Sequence, residues 1–258
     1  MPVSYLSGKV YLLITGASQG IGKQIAESFG ALLGDGSVVL LLARNEANLQ
    51  ATAKNIPSRV KVITKSVDLA KANAEQLKAI VKSSLGAGGT AQFEKAILVH
   101  NAGIVGDNTK LTTQLTDYET WREYYDLNLF SPAILNGVFM DLFKNDAKVQ
   151  KLVINVSSSA AINAIPKSRY YCSGKAARAM FFRVFAVEYP DVNVLNYSPG
   201  PVDTELLQKV FISFPERKAE TEKMFPILTT EQTVKRLIEI IQSQKYKSGD
   251  HVDYYGRN

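Results

Sequence analysis

Residues 9–22 read KVYLLITGASQGIG, an apolar run that ends in a turn holding Gly16, Gly20 and Gly22. Lys9–Thr15 shows no polar alternation, so both faces of the strand it predicts are covered, as in a parallel sheet between helix layers. A helix is expected from the turn through about Leu33. Working outward, similar runs recur at 37–43 (SVVLLLA), 59–67 (RVKVITKSV), 95–101 (KAILVHN), 151–157 (KLVINVS) and 192–198 (VNVLNYS). Helix-length segments separate most of them, which predicts an α/β chain with one doubly wound parallel sheet and helices on both faces. Residues 86–90 (GAGGT) read as a loop before the fourth strand, so residues 1–258 are expected to form a single domain. Two stretches leave the rhythm. Residues 205–230 mix charges, aromatics and prolines, which predicts an irregular lobe lying as a lid over the site, and the tail 248–258 (SGDHVDYYGRN) predicts a short edge strand.

Hydrophobic residues make up 46% and charged residues 21% of the 258, an ordinary balance for a soluble globular protein. The longest apolar run, Val38–Ala43, is too short to span a bilayer, and the first ten residues lack the pattern of a signal peptide. One cysteine, Cys172, rules out an internal disulfide, and two histidines leave few ligands for a metal. The reading is a cytoplasmic protein with no membrane association and no metal. The net charge of +6 is scattered rather than blocked, which argues against nucleic acid and suits a small phosphate-bearing ligand.

A glycine turn directly after a first buried strand lets backbone N–H groups approach a pyrophosphate at the positive end of the next helix. Gly16, Ser18, Gln19, Gly20, Ile21 and Gly22 are the candidates for that contact. The second strand ends in Ala43, Arg44 and Asn45, where NAD-binding versions of such folds place a carboxylate. A guanidinium there can instead hold a 2′-phosphate through charge-assisted bonds, so the expected cofactor is NADPH.

Residues 168–178 read SRYYCSGKAAR. On a helix over Arg169–Val187, Tyr171 and Lys175 stand four apart and share a face, whereas Tyr170 diverges toward packing. A phenol titrates near pH 10, and a fixed ammonium beside it favours the phenolate. Such a tyrosine exchanges a proton with a carbonyl oxygen as hydride moves at carbon. Just upstream, Ser157–Ser159 end a strand, and any of the three hydroxyls could hold that carbonyl.

TGASQGIG, HNAG (100–103), Asn128 in LNLF, the serine triplet and YCSGK occur in the order seen in the short-chain dehydrogenase/reductase family, which the chain resembles. The resemblance implies a Rossmann-like domain with a Ser–Tyr–Lys site assisted by an asparagine. It selects Ser158 among the serines and has Asn128 hold a water that relays protons toward Lys175. It has Asp68, with Leu69 beside it, contact the adenine, and Asn101, Ala102 and Gly103 line the cofactor. Pro199, Gly200, Val202 and Thr204 would pack on its nicotinamide end, while Tyr171 and Lys175 reach the ribose. Two positions depart from the pattern. His100 stands where asparagine is common, and Gln19 stands where NADP-preferring members carry Arg or Lys, which leaves the phosphate to Arg44.

YCSGKAAR, VLNYSPGPVDT and YKSGDHVDYY resemble more closely the members that reduce pterin side chains. That likeness implies a pterin substrate held by Ser158, Tyr171 and Asp253, and a homodimer built on the helices near 117–145 and 169–187. A pterin's amino group and ring N–H form a donor edge that one carboxylate accepts as a pair. The competing expectation is a broad carbonyl or diketone reductase with the same machinery.

Overall fold

The computed structural model describes residues 4–256, so the extreme ends of the expected 1–258 domain lie outside the described residues. Seven parallel strands form one sheet in the order β3-β2-β1-β4-β5-β6-β7. They are β1 (Val10–Thr15), β2 (Val38–Ala43), β3 (Lys61–Ser66), β4 (Lys95–His100), β5 (Gln150–Val156), β6 (Val192–Ser198) and β7 (His251–Asp253). Each of the six apolar runs became a strand, and the tail supplied the edge strand. Helices α1 (Gly20–Gly30), α2 (Glu46–Ala53) and α3 (Ala74–Ser84) follow the first three strands. The long helical stretch before β5 is α4 (Tyr118–Tyr125), a π-turn (Asp126–Phe130) and α5 (Ser131–Phe143). After β5 comes α6 (Arg169–Glu188), close to the range expected.

The strand pleat divides the core in two. Val10, Leu12 and Ile14 of β1 pack with α1, α2 and the last helix, α9 (Thr230–Ser243). Tyr11 and Leu13 face the other way, onto α3, α5 and α6. Both sets are fully enclosed, as an uninterrupted apolar run requires, and each such side chain contributes roughly 1.5–3 kcal/mol. The strand with most exposed positions is β3 at the sheet edge, where Lys61 and Lys65 face water and discourage pairing with another chain.

The lobe differs from the expectation. Residues 205–230 form two helices, α7 (Glu205–Ser213) and α8 (Pro215–Met224), rather than irregular chain. Pro215 at the start of α8 forces the break between them, because proline is tolerated only in a first turn. The two ends of the lobe are pinned together where Leu228 bonds to Pro201 and Asp203. Among the described residues, no helix is long and apolar enough to cross a membrane.

Candidate active site

At the carboxyl ends of the strands, where the chain leaves β1 toward β2 on one side and β4 lies on the other, runs a cleft of about 1530 Å³. Such a switch point is where open α/β sheets take their ligands. Its floor begins at the glycine turn. Gly16 and Gly20 both have positive φ (67° and 55°), a backbone shape that L side chains rarely adopt. Gly22 does not line the cleft; a β-carbon there would collide with the Gly16 carbonyl and the Asn101 amide. Asn101 donates from Nδ2 to the carbonyls of Thr15 (3.1 Å) and Gly16 (3.2 Å), sewing the end of β4 to the turn after β1.

Every other residue expected to meet the cofactor lies on the cleft wall: Ser18, Gln19 and Ile21 at the turn, Arg44 and Asn45 after β2, Asp68 and Leu69 after β3, and Ala102 and Gly103 beside Asn101. Pro199, Gly200, Val202 and Thr204 form the opposite side after β6. Several have local duties too. Asn45 caps α2 by accepting from the Asn48 N–H (3.0 Å), and Asp68 accepts from the Ala70 N–H (3.1 Å). The Gln19 amide donates to Glu205 at 2.7 Å, so this position ties the glycine turn to α7. Lys23 and Lys71 also line the cleft and add positive charge to its wall.

Tyr171 and Lys175 open on the same cleft from α6. The Tyr171 hydroxyl hydrogen-bonds to Ser158, and the Lys175 ammonium lies 5.5 Å from the Tyr171 ring centroid. Of the three serines, Ser157 is buried and Ser159 exposed, while Ser158 is half-buried with its Oγ also accepting from the Ala160 N–H (3.2 Å). Tyr170 is packed away against Trp121 and Tyr124, with ring centroids 4.2 and 5.3 Å off. Lys175 is buried and donates from Nζ to the Val156 carbonyl at 2.7 Å.

One expectation changes. The ammonium of Lys175 does not set the titration of Tyr171: burial pushes the phenol up, and the opposing influences are the Ser158 bond and the charge of Arg178. Burial, with Arg178 second, pushes the Lys175 amine well below its ordinary range. The side-chain amide of Asn128 bonds at both ends. It donates to the Tyr124 carbonyl (2.9 Å) and accepts from the Ile104 N–H (3.0 Å), fastening the π-turn to the loop that follows Gly103.

Asp253 is not on the cleft wall. It ends β7, in register with Ser198, and Val252 beside it packs on the α1–α9 side. Alternation along the strand puts Asp253 on the α6 side of the sheet, next to the turn through Pro199 and Gly200. Arg178 was the residue overlooked. It is enclosed on α6, and its signal was present in the spacing, since 171, 175 and 178 fall on one helical face.

A profile of the short chain dehydrogenase family matches residues 10–213, and the protein belongs to that family of oxidoreductases. Within it, the chain is similar to sepiapterin reductase of Xenopus laevis, 34% identical over 257 residues with 96% of both chains covered. Sepiapterin reductase of Xenopus tropicalis is 32% identical over 256 residues, covering 96% of this chain and 97% of its own. Among solved structures, a short chain dehydrogenase of Shigella flexneri complexed with NADP superimposes with a TM-score of 0.77 at 21% identity, over 98% of this chain and 100% of that one, a likeness of fold.

Proposed function

We propose that the protein is an NADPH-dependent reductase of the C6 side-chain carbonyl of a pterin, of the sepiapterin or 6-pyruvoyl-tetrahydropterin type, acting in tetrahydrobiopterin formation. One observation carries the reductase reading: Tyr171, bonded to Ser158 and one helical turn before Lys175, opens on the same cleft as the glycine turn. The residues present fit a dinucleotide. The space kept free of a β-carbon at Gly22 allows the turn to close tightly, and Arg44 stands where a 2′-phosphate would need a cation. When bound, the dinucleotide supplies the hydride. Ser158 donates a hydrogen bond to the substrate carbonyl oxygen, and Tyr171 gives that oxygen its proton. Burial suits the task, because a raised pKa keeps the proton on Tyr171 at neutral pH. Lys175 holds the ribose hydroxyls, and Asn128 acts by fixing the π-turn. The likeness to sepiapterin reductases along almost the whole chain supports the pterin, with Asp253 accepting the donor edge of its ring.

The test follows NADPH oxidation with sepiapterin for the wild type, Tyr171→Phe and Asp253→Asn. Expected are brisk wild-type turnover, a loss of about 10²-fold or more in Tyr171→Phe, and a raised KM in Asp253→Asn that spares a small diketone. Slow turnover of sepiapterin beside fast turnover of the diketone, with Asp253→Asn unchanged on both, would make the protein a broad carbonyl reductase instead. We further propose that it acts as one cytoplasmic domain and as a homodimer through the outer faces of α5 and α6, where Ile134, Met180, Val184 and Val187 are exposed.

A further inference from the structure

Arg178, at 1% exposure, is the bulkiest enclosed side chain among the described residues. Among the described residues no carboxylate acts on it; the titratable groups that do are the tyrosines Tyr124 and Tyr171. Burying an unpaired cation is costly, so a position that merely needed filling would favour an apolar side chain. The guanidinium donates to the carbonyl of Ala102 at 3.0 Å and to that of His100. Those carbonyls flank Asn101, whose amide holds the glycine turn. One side chain thus joins the helix bearing Tyr171 to the strand end that builds the cofactor wall.

Its second property is where the charge sits. Arg178 follows Lys175 by three residues and Tyr171 by seven, on one face of α6. The titratable groups facing this cluster are His100 on β4, Tyr124 on α4, and Tyr171, Cys172 and Lys175 on α6 itself. His100 is held neutral by burial and Tyr124 is pushed up by burial, so neither offsets the cation near neutral pH.

We propose that Arg178 is a positioning residue for proton transfer at Tyr171: its guanidinium fixes α6 against the end of β4 and places a positive charge beside the Tyr171–Lys175 pair. This rests on the reductase reading of the site. A fixed cation disfavours every proton the pair binds, so both of its macroscopic titrations lie lower with Arg178 than without it. In reduction the pair must donate a proton, so turnover falls as pH rises through the pair's titration.

Arg178→Gln removes the charge and keeps an amide donor for the Ala102 carbonyl. It is expected to move the high-pH fall of kcat upward by about one pH unit, roughly tenfold in proton affinity. Arg178→Lys retains the charge and is expected to leave that limb in place while lowering kcat. A second readout needs no turnover: the tyrosinate absorbance of the purified protein, corrected by Tyr171→Phe, should titrate higher in Arg178→Gln by the same amount. A Gln profile that superimposes on the wild type after scaling overturns the proposal and leaves Arg178 a packing group. If Arg178→Gln does not fold, Arg178→Lys decides, because an unmoved limb supports the proposal and a limb displaced upward despite the charge overturns it. Should the wild type not reduce sepiapterin at all, the functional reading fails while the tyrosinate titration still settles Arg178.

Discussion

His100 occupies the position where the family often has asparagine, and it is 1% exposed beneath Arg178 and Phe182, with its ring 4.9 Å from that of Phe182. Burial and the Arg178 charge hold its pKa well below 6.5 in the folded protein. An unfolded chain takes up that proton near pH 6.5 and the folded one only at lower pH, so the unfolded state binds more protons between the two values. Stability is therefore complete above about pH 6.5 and declines as the pH falls toward the folded value. The urea midpoint should drop between neutral and mildly acidic pH, and His100→Asn should flatten that drop; an equally steep decline in the variant would assign it to other groups. At this scale the sequence was legible where spacing carries the meaning. Tyr171 was separable from Tyr170 because a helix puts residues four apart on one face. Titration was not legible, since the direction for Tyr171 depends on enclosure and on Arg178, a neighbour that only the fold identifies as buried.

The strands could be read because a strand covered on both faces is mostly apolar, and β1, β2, β4, β5 and β6 each carry an apolar run, although Lys95, Lys151, Asn155 and Asn196 are buried with them. The lobe could not, because its helices bury few side chains and α8 buries none, which leaves no periodic pattern to read. It is held by polar contacts at its two sides. Gln19 bonds Glu205 at the cofactor side, and Arg217 of α8 donates to Ser168 Oγ (2.9 Å) and the Pro166 carbonyl at the entry to α6. A hydrogen bond to a charged group contributes about 1.5–3 kcal/mol. Arg217→Ala should therefore raise the KM of the carbonyl substrate by roughly an order of magnitude. The urea midpoint should stay near wild type, since the core is untouched. A midpoint that falls along with the affinity would mean that the lobe is part of the folding unit rather than a cover on it.

For the molecule as a whole, the proposed homodimer rests on the exposed apolar side chains of α5 and α6. Sedimentation should find a dimer, and Val184→Glu with Met180→Lys should yield monomers that keep the fold; a monomeric wild type would remove the assembly from the proposal. The strand order has a further consequence. β1 lies inside the sheet between β2 and β4, yet β4 is remote along the chain, Val10 pairing with Lys95. Strands β2 and β3 can dock from nearby sequence, but the other edge of β1 stays open until that long loop closes, and non-local pairings form slowly. During that interval a refolding molecule exposes the backbone edge of an apolar segment, ready to be captured by another copy. Recovery from denaturant is thus a race between closing one loop within the chain and meeting a neighbour, and dilution favours the first.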